Sequence, residues 1–253
     1  MPCSQDEVRI FWTAGLDSTF RVCWLTLVEG RTVQPIYIID SDRKSWMVEI
    51  AKLRHISGLI RCHPNYIGLL KPIIIYFSSD FSPDEETLRL YSNVSKVVHI
   101  GEQYLWLAQF CKVQDYTSPN VELCMTKHDP GVTDLQRILF EDMESGVVTL
   151  KDSDAGRLFS KFSFPLLGTT KIDMWSYGDR YGFGEVLERT WFCHSPLLGK
   201  PCGVCRPCKI ASSDRSRAAT FSRLSPFLYF YKQFYERLLP WRLRVYFRRV
   251  FGS

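Results

Sequence analysis

The stretch over residues 8–20, VRIFWTAGLDSTF, constrains the fold more than any other part of the chain. Val8, Ile10, Phe11 and Trp12 form an apolar run suited to a buried strand, and the run ends in a small, turn-prone loop. Gly15 permits a tight backbone approach, while Asp17, Ser18 and Thr19 are residue types that cap and open helices. A strand that passes through such a loop into a helix is the opening unit of an α/β sheet. Backbone N–H groups at the helix start would face an anion held in the loop.

The rest of the chain continues the alternation. Residues 20–28 extend the helix, which Glu29-Gly30 ends, and residues 33–40 (VQPIYIID) form a second buried strand. Residues 43–59 predict a helix with Trp46, Ile50, Leu53 and Ile56 on one face, closed by Gly58. A third strand is expected over 71–77 (KPIIIYF), helices over 104–111 and 135–143, and a strand over 121–125. Further on, Pro165 stops a strand-like run and Thr169 or Thr170 caps a helix. This order predicts an open, mostly parallel sheet with helices on both faces. The first loop then lies at the carboxyl edge of a strand, where such sheets bind ligands.

With 253 residues, 45% of them hydrophobic and 23% charged, the chain suits one soluble domain with an appendage. No apolar run approaches the roughly 20 residues that span a bilayer. The first residues, MPCSQDEVRIFW, lack a basic region followed by an apolar core, so a cytoplasmic location is expected. The net charge of +5 is concentrated after Asp214, in a tail rich in Arg, Phe, Tyr and Leu. The expected divisions are an α/β domain over 1–190, a cysteine loop over 191–212 and a basic aromatic helical tail over 213–253.

Four of the nine cysteines, Cys193, Cys202, Cys205 and Cys208, crowd into C-x8-C-x2-C-x2-C. Thiolates at this spacing on a turn-rich loop converge on one tetrahedral ion, and Pro201, Gly203 and Pro207 help such a loop bend. Four sulfur ligands without an open position favour structural zinc; the rival is an iron–sulfur cluster. His194 reads as a neighbour of the ligands rather than one of them. Cys124 and His128 in CMTKH read as a buried, inert thiol and an exposed imidazole.

Taken together, these motifs resemble the PP-loop ATP pyrophosphatase superfamily and, within it, the QueC-type 7-cyano-7-deazaguanine synthases. The superfamily's loop reads S-G-G-x-D-S, and Thr13-Ala14-Gly15-Leu16-Asp17-Ser18 keeps a Gly, the Asp and the Ser. The QueC-like branch adds a P-L…K segment, T-W-S-C and C-G-x-C-x-x-C. The chain has Pro165-Leu166 with Lys171, Thr190-Trp191-Phe192-Cys193, and Cys202-Gly203-Val204-Cys205-Arg206-Pro207-Cys208.

The resemblance implies ATP binding at Thr13, Ala14, Gly15, Leu16, Asp17, Ser18 and Thr19, with Asp40 at the ribose or magnesium or else capping the next helix. It assigns catalysis to Asp17, Ser18 and Lys171, zinc to Cys193, Cys202, Cys205 and Cys208, and substrate contact to Asp129 and Asp134. An adenine nucleotide α-hydrolase-like sheet, ATP with Mg2+, and a homodimer are implied as well. The implied reaction adenylates a carboxylated 7-deazapurine, which ammonia or a protein amine then attacks to give an amide or nitrile.

Several positions depart from the family. Ala14 replaces a glycine of the loop, Asp40-Ser41-Asp42-Arg43 replaces D-Y-G-Q, and Gly101-Glu102-Gln103-Tyr104 stands where P-x-R-N is expected. The family's substrate stretch survives as Asp129, Gly131 and Asp134. These departures keep open a tRNA-modifying PP-loop enzyme, transferring sulfur or an amine, and a nucleotide-binding protein without turnover. Tyr231, Phe234, Tyr235, Leu238 and Leu239 recur at helical spacing, as in a helix packed on the body or a dimer mate. Arg242, Arg244, Arg248 and Arg249 among Trp241, Tyr246 and Phe247 also suit a partner protein, RNA or a membrane surface.

Overall fold

A computed structural model describes residues 7–114, 121–127, 133–141, 149–197, 199–212, 227 and 230. The chain divides into two compact units, Met1–Asp42 with Glu49–Trp191 and Arg43–Val48 with Phe192–Ser253. The first unit holds the sheet. β1 (Glu7–Phe11) lies between β2 (Thr32–Ile39) and β5 (Val121–Glu122), with β3 (Leu69–Leu70) and β6 (Phe162–Ser163) outside them, in the order β3-β2-β1-β5-β6. β4 (Ile74–Phe77) also pairs with β2, and all these pairings are parallel.

Parallel strands need crossovers, and helices supply them. α1 (Leu16–Cys23) joins β1 to β2, and α2 (Trp46–Arg61) joins β2 to β3. α3 (Glu85–Val97) and α4 (Gln103–Val113) precede β5; α5 (Thr133–Leu139) and α6 (Asp154–Leu158) precede β6. α7 (Lys171–Arg180) and α8 (Gly184–Glu188) follow β6. Consecutive strand residues Ile10 and Phe11 are both buried, so the sheet is covered on both faces. On one face Phe11, Ile36, Ile38, Val121 and Phe162 pack with Leu90, Val94, Leu107, Phe110 and Leu158. Tyr37 points the other way and donates its hydroxyl proton to Glu49 Oε2 of α2 at 2.8 Å. α1 lies against β1 and α7, with the Phe20 ring beside those of Tyr177 and Phe183.

The end of the first helix shows why Gly30 is needed. α1 widens into a π turn over Trp24–Val28, where Thr26 Oγ1 donates back to the Val22 carbonyl at 2.8 Å. The chain then leaves through Gly30 at φ 67°, and Arg31 N–H closes on the Leu25 carbonyl at 2.8 Å. The closing bond spans one residue more than a Schellman motif, as the widened π turn before it requires, and a left-handed glycine makes the bend at little steric cost.

The second helix and the third strand depart from the sequence-based expectation. α2 begins at Trp46 and runs through the exposed Gly58 to Arg61, because buried Ser57 and Ile60 hold its last turn against the core. The strand expected over 71–77 is confined to β4 at 74–77, and a short strand that was not expected, β3, precedes it at 69–70. Val33 stands opposite Leu70, but Ile36 stands opposite Ile74, so β3 and β4 carry one residue more than β2 across the break. Pro72, which has no N–H to donate, sits in the break, and its carbonyl accepts from Gln34 Nε2 at 2.8 Å. α3 is an element the sequence reading did not name, and the strand expected over 121–125 is limited to Val121–Glu122. Of the helix expected over 135–143, residues 135–139 are helical, the helix starting earlier at Thr133, and 142–143 lie outside the described residues. The tail residues Tyr231 to Arg249 lie outside them too. No helix of the described residues is long and apolar enough to cross a membrane.

Candidate functional site

The first candidate site is the loop between β1 and α1. Trp12 N–H still pairs with the Ile36 carbonyl at 2.9 Å, continuing the ladder past the end of β1. Ala14 then turns the chain with φ 59°, the one non-glycine in the left-handed region among the described residues. That conformation costs an L-residue about 1–2 kcal/mol. The surroundings hold it: Ala14 is fully buried, and its carbonyl accepts from Trp191 N–H at 2.8 Å. Gly15 is extended and caps α1, whose own ladder starts with Thr19 N–H to the Gly15 carbonyl at 3.0 Å. The N–H groups of the first turn are therefore not used by the helix itself.

Around this turn the side chains divide by burial. Leu16, Ser18 and Thr19 are buried, Gly15 and Asp17 are half-buried, and Thr13 is exposed. Thr19 Oγ1 accepts from Trp12 Nε1 at 2.9 Å, which locks the helix start to the strand end. Asp17 places a carboxylate in the first turn, where the helix dipole favours negative charge. Strand order reverses between β1 and β5, so the loop opens at the sheet's switch point, the crevice where open α/β sheets take ligands.

The segments beside the loop come from β5, β6 and β2. Arg21 of α1 forms a two-pronged pair with Glu122 at the end of β5, Nε to Oε2 at 2.8 Å and the second nitrogen to Oε1 at 2.7 Å. Burial works to lower the proton affinity of Arg21, but the hydrogen bond and charge of Glu122 outweigh it and leave it raised. Cys124 is half-buried; burial, then Glu122 and Asp17, push its thiol well up, which matches the inert thiol expected. Lys127 N–H donates to the Thr169 carbonyl at 3.0 Å and so joins the segment after β5 to the start of α7.

At α7 the expected cap is Thr170. It exchanges hydrogen bonds with Asp173, whose carboxylate is held below its ordinary range by the Thr170 hydroxyl and backbone. Lys171 is the first helical residue and is exposed. The packing of α1 on α7 makes neighbours of the helices that begin at the two candidate segments. Asp40 follows β2 and accepts from Asp42 N–H at 3.1 Å, an Asx turn; α2 starts only at Trp46, so Asp40 does not cap it. Asp134 lies exposed in the first turn of α5, 3.4 Å from Arg137. Asp129, Gly131 and His128 lie outside the described residues.

The second unit contains the cysteine cluster. Leu197 and Lys200 exchange backbone hydrogen bonds of 2.9 and 3.0 Å across a tight turn, which returns the chain from Cys193 toward Cys202. Gly203 at φ 76° makes the next bend, and α9 (Arg206–Ser212) carries Cys208. The Sγ atoms of Cys193, Cys202, Cys205 and Cys208 all lie within 4.8 Å of one another. Cys202 and Cys208 sulfurs are 3.8 Å apart, and those of Cys193 and Cys205 are 4.0 Å apart. Tetrahedral zinc with Zn–S bonds of about 2.3 Å needs sulfurs roughly 3.8 Å apart, so the donor set fits.

Backbone N–H groups point at the sulfurs, Cys202 N–H at Cys193 Sγ (3.2 Å) and Cys205 N–H at Cys202 Sγ (3.4 Å), and would stabilise thiolates. Hydrogen bonding with the neighbouring Cys193 and Cys208 sulfurs holds Cys205 far below the ordinary thiol range. The four cysteines can hold a metal ion such as zinc.

Sequence reasoning did not find Arg21, Glu122 or Lys52 beside the loop. Lys52 of α2 lies 6.0 Å from the ring centroid of Trp191, the residue bonded to Ala14. The signal for Glu122 was present, an acid at the end of an apolar strand; for Lys52 there was none, because its neighbours come from distant segments. No protein-family model matches the chain, and no curated protein matches it.

Proposed function

We propose that the protein is an ATP-dependent carbon–nitrogen ligase acting on a carboxylated 7-deazapurine of the 7-carboxy-7-deazaguanine type. The observation that carries the proposal is the turn at Thr13–Ser18. Ala14 is bent left-handed at the carboxyl end of a central parallel strand, ahead of a helix N-terminus, in a loop that resembles S-G-G-x-D-S. A loop of this kind cradles phosphate groups with backbone N–H groups. The T-W-x-C and C-G-x-C-x-x-C motifs support the same family, and the clustered sulfurs suit its structural zinc.

In this reaction a substrate carboxylate oxygen attacks the α-phosphorus of ATP, and the bond to pyrophosphate breaks. Loop N–H groups and Ser18 orient the phosphates, Lys171 balances their charge, and Asp17 fixes the helix start. Magnesium, bound with ATP, would add charge neutralisation on the phosphates. An amine nitrogen then attacks the acyl carbon, AMP leaves and the nitrogen gives up a proton. With ammonia the product is an amide. Attack of the amide oxygen on the α-phosphorus of a second ATP releases pyrophosphate, and loss of AMP together with both amide protons gives a nitrile. Zinc held by Cys193, Cys202, Cys205 and Cys208 would be saturated by thiolates and would serve the fold rather than the reaction.

Incubation with ATP, magnesium and 7-carboxy-7-deazaguanine should yield AMP and pyrophosphate, and added ammonium should yield amide or nitrile by mass spectrometry. A protein amine as nucleophile would show as an adduct in intact-mass spectra. Absence of deazapurine-dependent AMP overturns the proposal, and AMP formation that requires tRNA instead selects the tRNA-modifying alternative. A homodimer belongs to the same proposal and is tested by light scattering on the eluting protein.

A further inference from the structure

We propose that Lys52, Arg189 and Trp191 form an anion subsite beside the loop that takes the diphosphate end of a nucleotide, an inference that rests on the nucleotide reading of that loop. Trp191 is bound to the turn itself, through its N–H on the Ala14 carbonyl at 2.8 Å. A Cβ placed on Gly15 would meet the Trp191 carbonyl oxygen at 4.0 Å, so the two segments run side by side. Lys52 Nζ stands over the Trp191 ring at 6.0 Å from its centroid, and Arg189 follows α8 two residues before Trp191.

Among the described residues neither Lys52 nor Arg189 makes an ion pair, and Glu185 and Glu188, close to Arg189 in sequence, form none with it. Burial lowers the proton affinity of the half-buried Lys52, and the positive charge of Arg189 lowers it further. Two like charges within electrostatic reach, one of them half-buried, repel each other until an anion joins them. The ring face of Trp191 offsets part of the Lys52 charge but supplies no negative ion.

The class of anion follows from the number and kind of donors. One carboxylate would balance one cation, whereas a diphosphate has charge and oxygens for both. A guanidinium grips phosphate with a two-pronged fork and an ammonium acts as a movable point charge. Through Trp191, whose N–H is bonded to the turn ahead of α1, they would be placed to hold the phosphates that depart as pyrophosphate.

The experiment measures binding of inorganic pyrophosphate, ATP and adenosine by calorimetry at two salt concentrations. It uses the full chain and its K52Q, R189Q, K52Q/R189Q and K52R variants. Each glutamine substitution should weaken pyrophosphate binding about tenfold, the size expected for losing one charge-assisted hydrogen bond. K52R should recover most of the loss, adenosine affinity should stay unchanged, and the double variant should show a shallower salt dependence.

Wild-type pyrophosphate affinity in a double variant of unchanged circular dichroism and melting temperature overturns the subsite, as does absence of pyrophosphate binding by the wild type. Deazapurine-dependent AMP formation by the wild type is scored separately. AMP formation alongside an unaffected double variant overturns the subsite alone. Loss of pyrophosphate binding in the double variant, with no AMP formed by the wild type, overturns the ligase alone.

Discussion

Ala14 sits where three small energies meet. Its left-handed backbone costs about 1–2 kcal/mol. Against that, a glycine would lose a buried methyl worth about 0.8 kcal/mol and would regain unfolded-chain freedom worth about 0.4–1 kcal/mol. The terms nearly cancel, so A14G should leave stability within about 1 kcal/mol of wild type. A14V puts a β-branched side chain into a fully buried left-handed position and should cost at least about 2 kcal/mol. Urea midpoints of the three proteins decide it, and an A14V protein as stable as wild type would show that the turn is not strained. A second residue-scale test concerns Arg21 and Glu122, joined at 2.7 and 2.8 Å. E122L leaves a half-buried guanidinium with, among the described residues, only Glu29 at 3.4 Å, so it should cost about 3 kcal/mol. The R21M/E122L double variant removes the stranded charge and should recover part of that loss; additive costs would mean the pair is not coupled.

Among the elements, α3 shows what local signals decide and what they leave open. Asp84 caps it, accepting from Thr87 N–H at 2.8 Å, and Glu85 and Glu86 follow in its first turn. The signal was in the sequence, but only Leu90 and Val94 with Thr87 form its buried stripe, too narrow a pattern to announce a helix among polar neighbours. D84A should destabilise by about 1 kcal/mol, the usual worth of such a cap. Hydrogen bonds from Lys112 and then from Thr87 N–H hold the Asp84 carboxyl down at about 2, below its unfolded value. A depressed folded value means that its contribution is complete above pH 4 and lost as pH falls toward 2. The difference in stability between wild type and D84A should therefore shrink over that window, and a difference independent of pH would contradict the cap. Other elements were legible for physical reasons. The parallel order of strands and helices follows from apolar runs whose faces are both buried. The broken edge strand was not, because β2 sets the register and a single Pro72 interrupts it. Gly58 misled because propensity is a weak prior, and packing of the last turn of α2 overrides it.

For the molecule as a whole, the two units draw on different sources of stability. The sheet unit has a large apolar core containing Phe11, Phe110, Phe159 and Phe162. Among described residues the other unit offers a tight turn, the seven-residue α9 and four cysteines, three of them buried. A metal bound only by the folded form would add free energy to these described elements. The same contrast explains what could be read from the sequence. The cysteine site lies within sixteen positions of chain, so its spacing shows it, whereas Lys52 is brought to the Arg189–Trp191 segment only by the fold. One metal per chain is expected by native mass spectrometry, and a colourless protein would exclude an iron–sulfur cluster. Removing the metal with a thiol reagent and a chelator should abolish amide protection over residues 193–212 in hydrogen exchange. Amides of β1 and β2 should stay protected, because no metal contributes to their ladder. C205S should reproduce the pattern without chelator, by leaving three sulfurs where four are needed. Full protection over 193–212 in a protein shown to be metal-free would mean that the cysteine loop folds on packing alone.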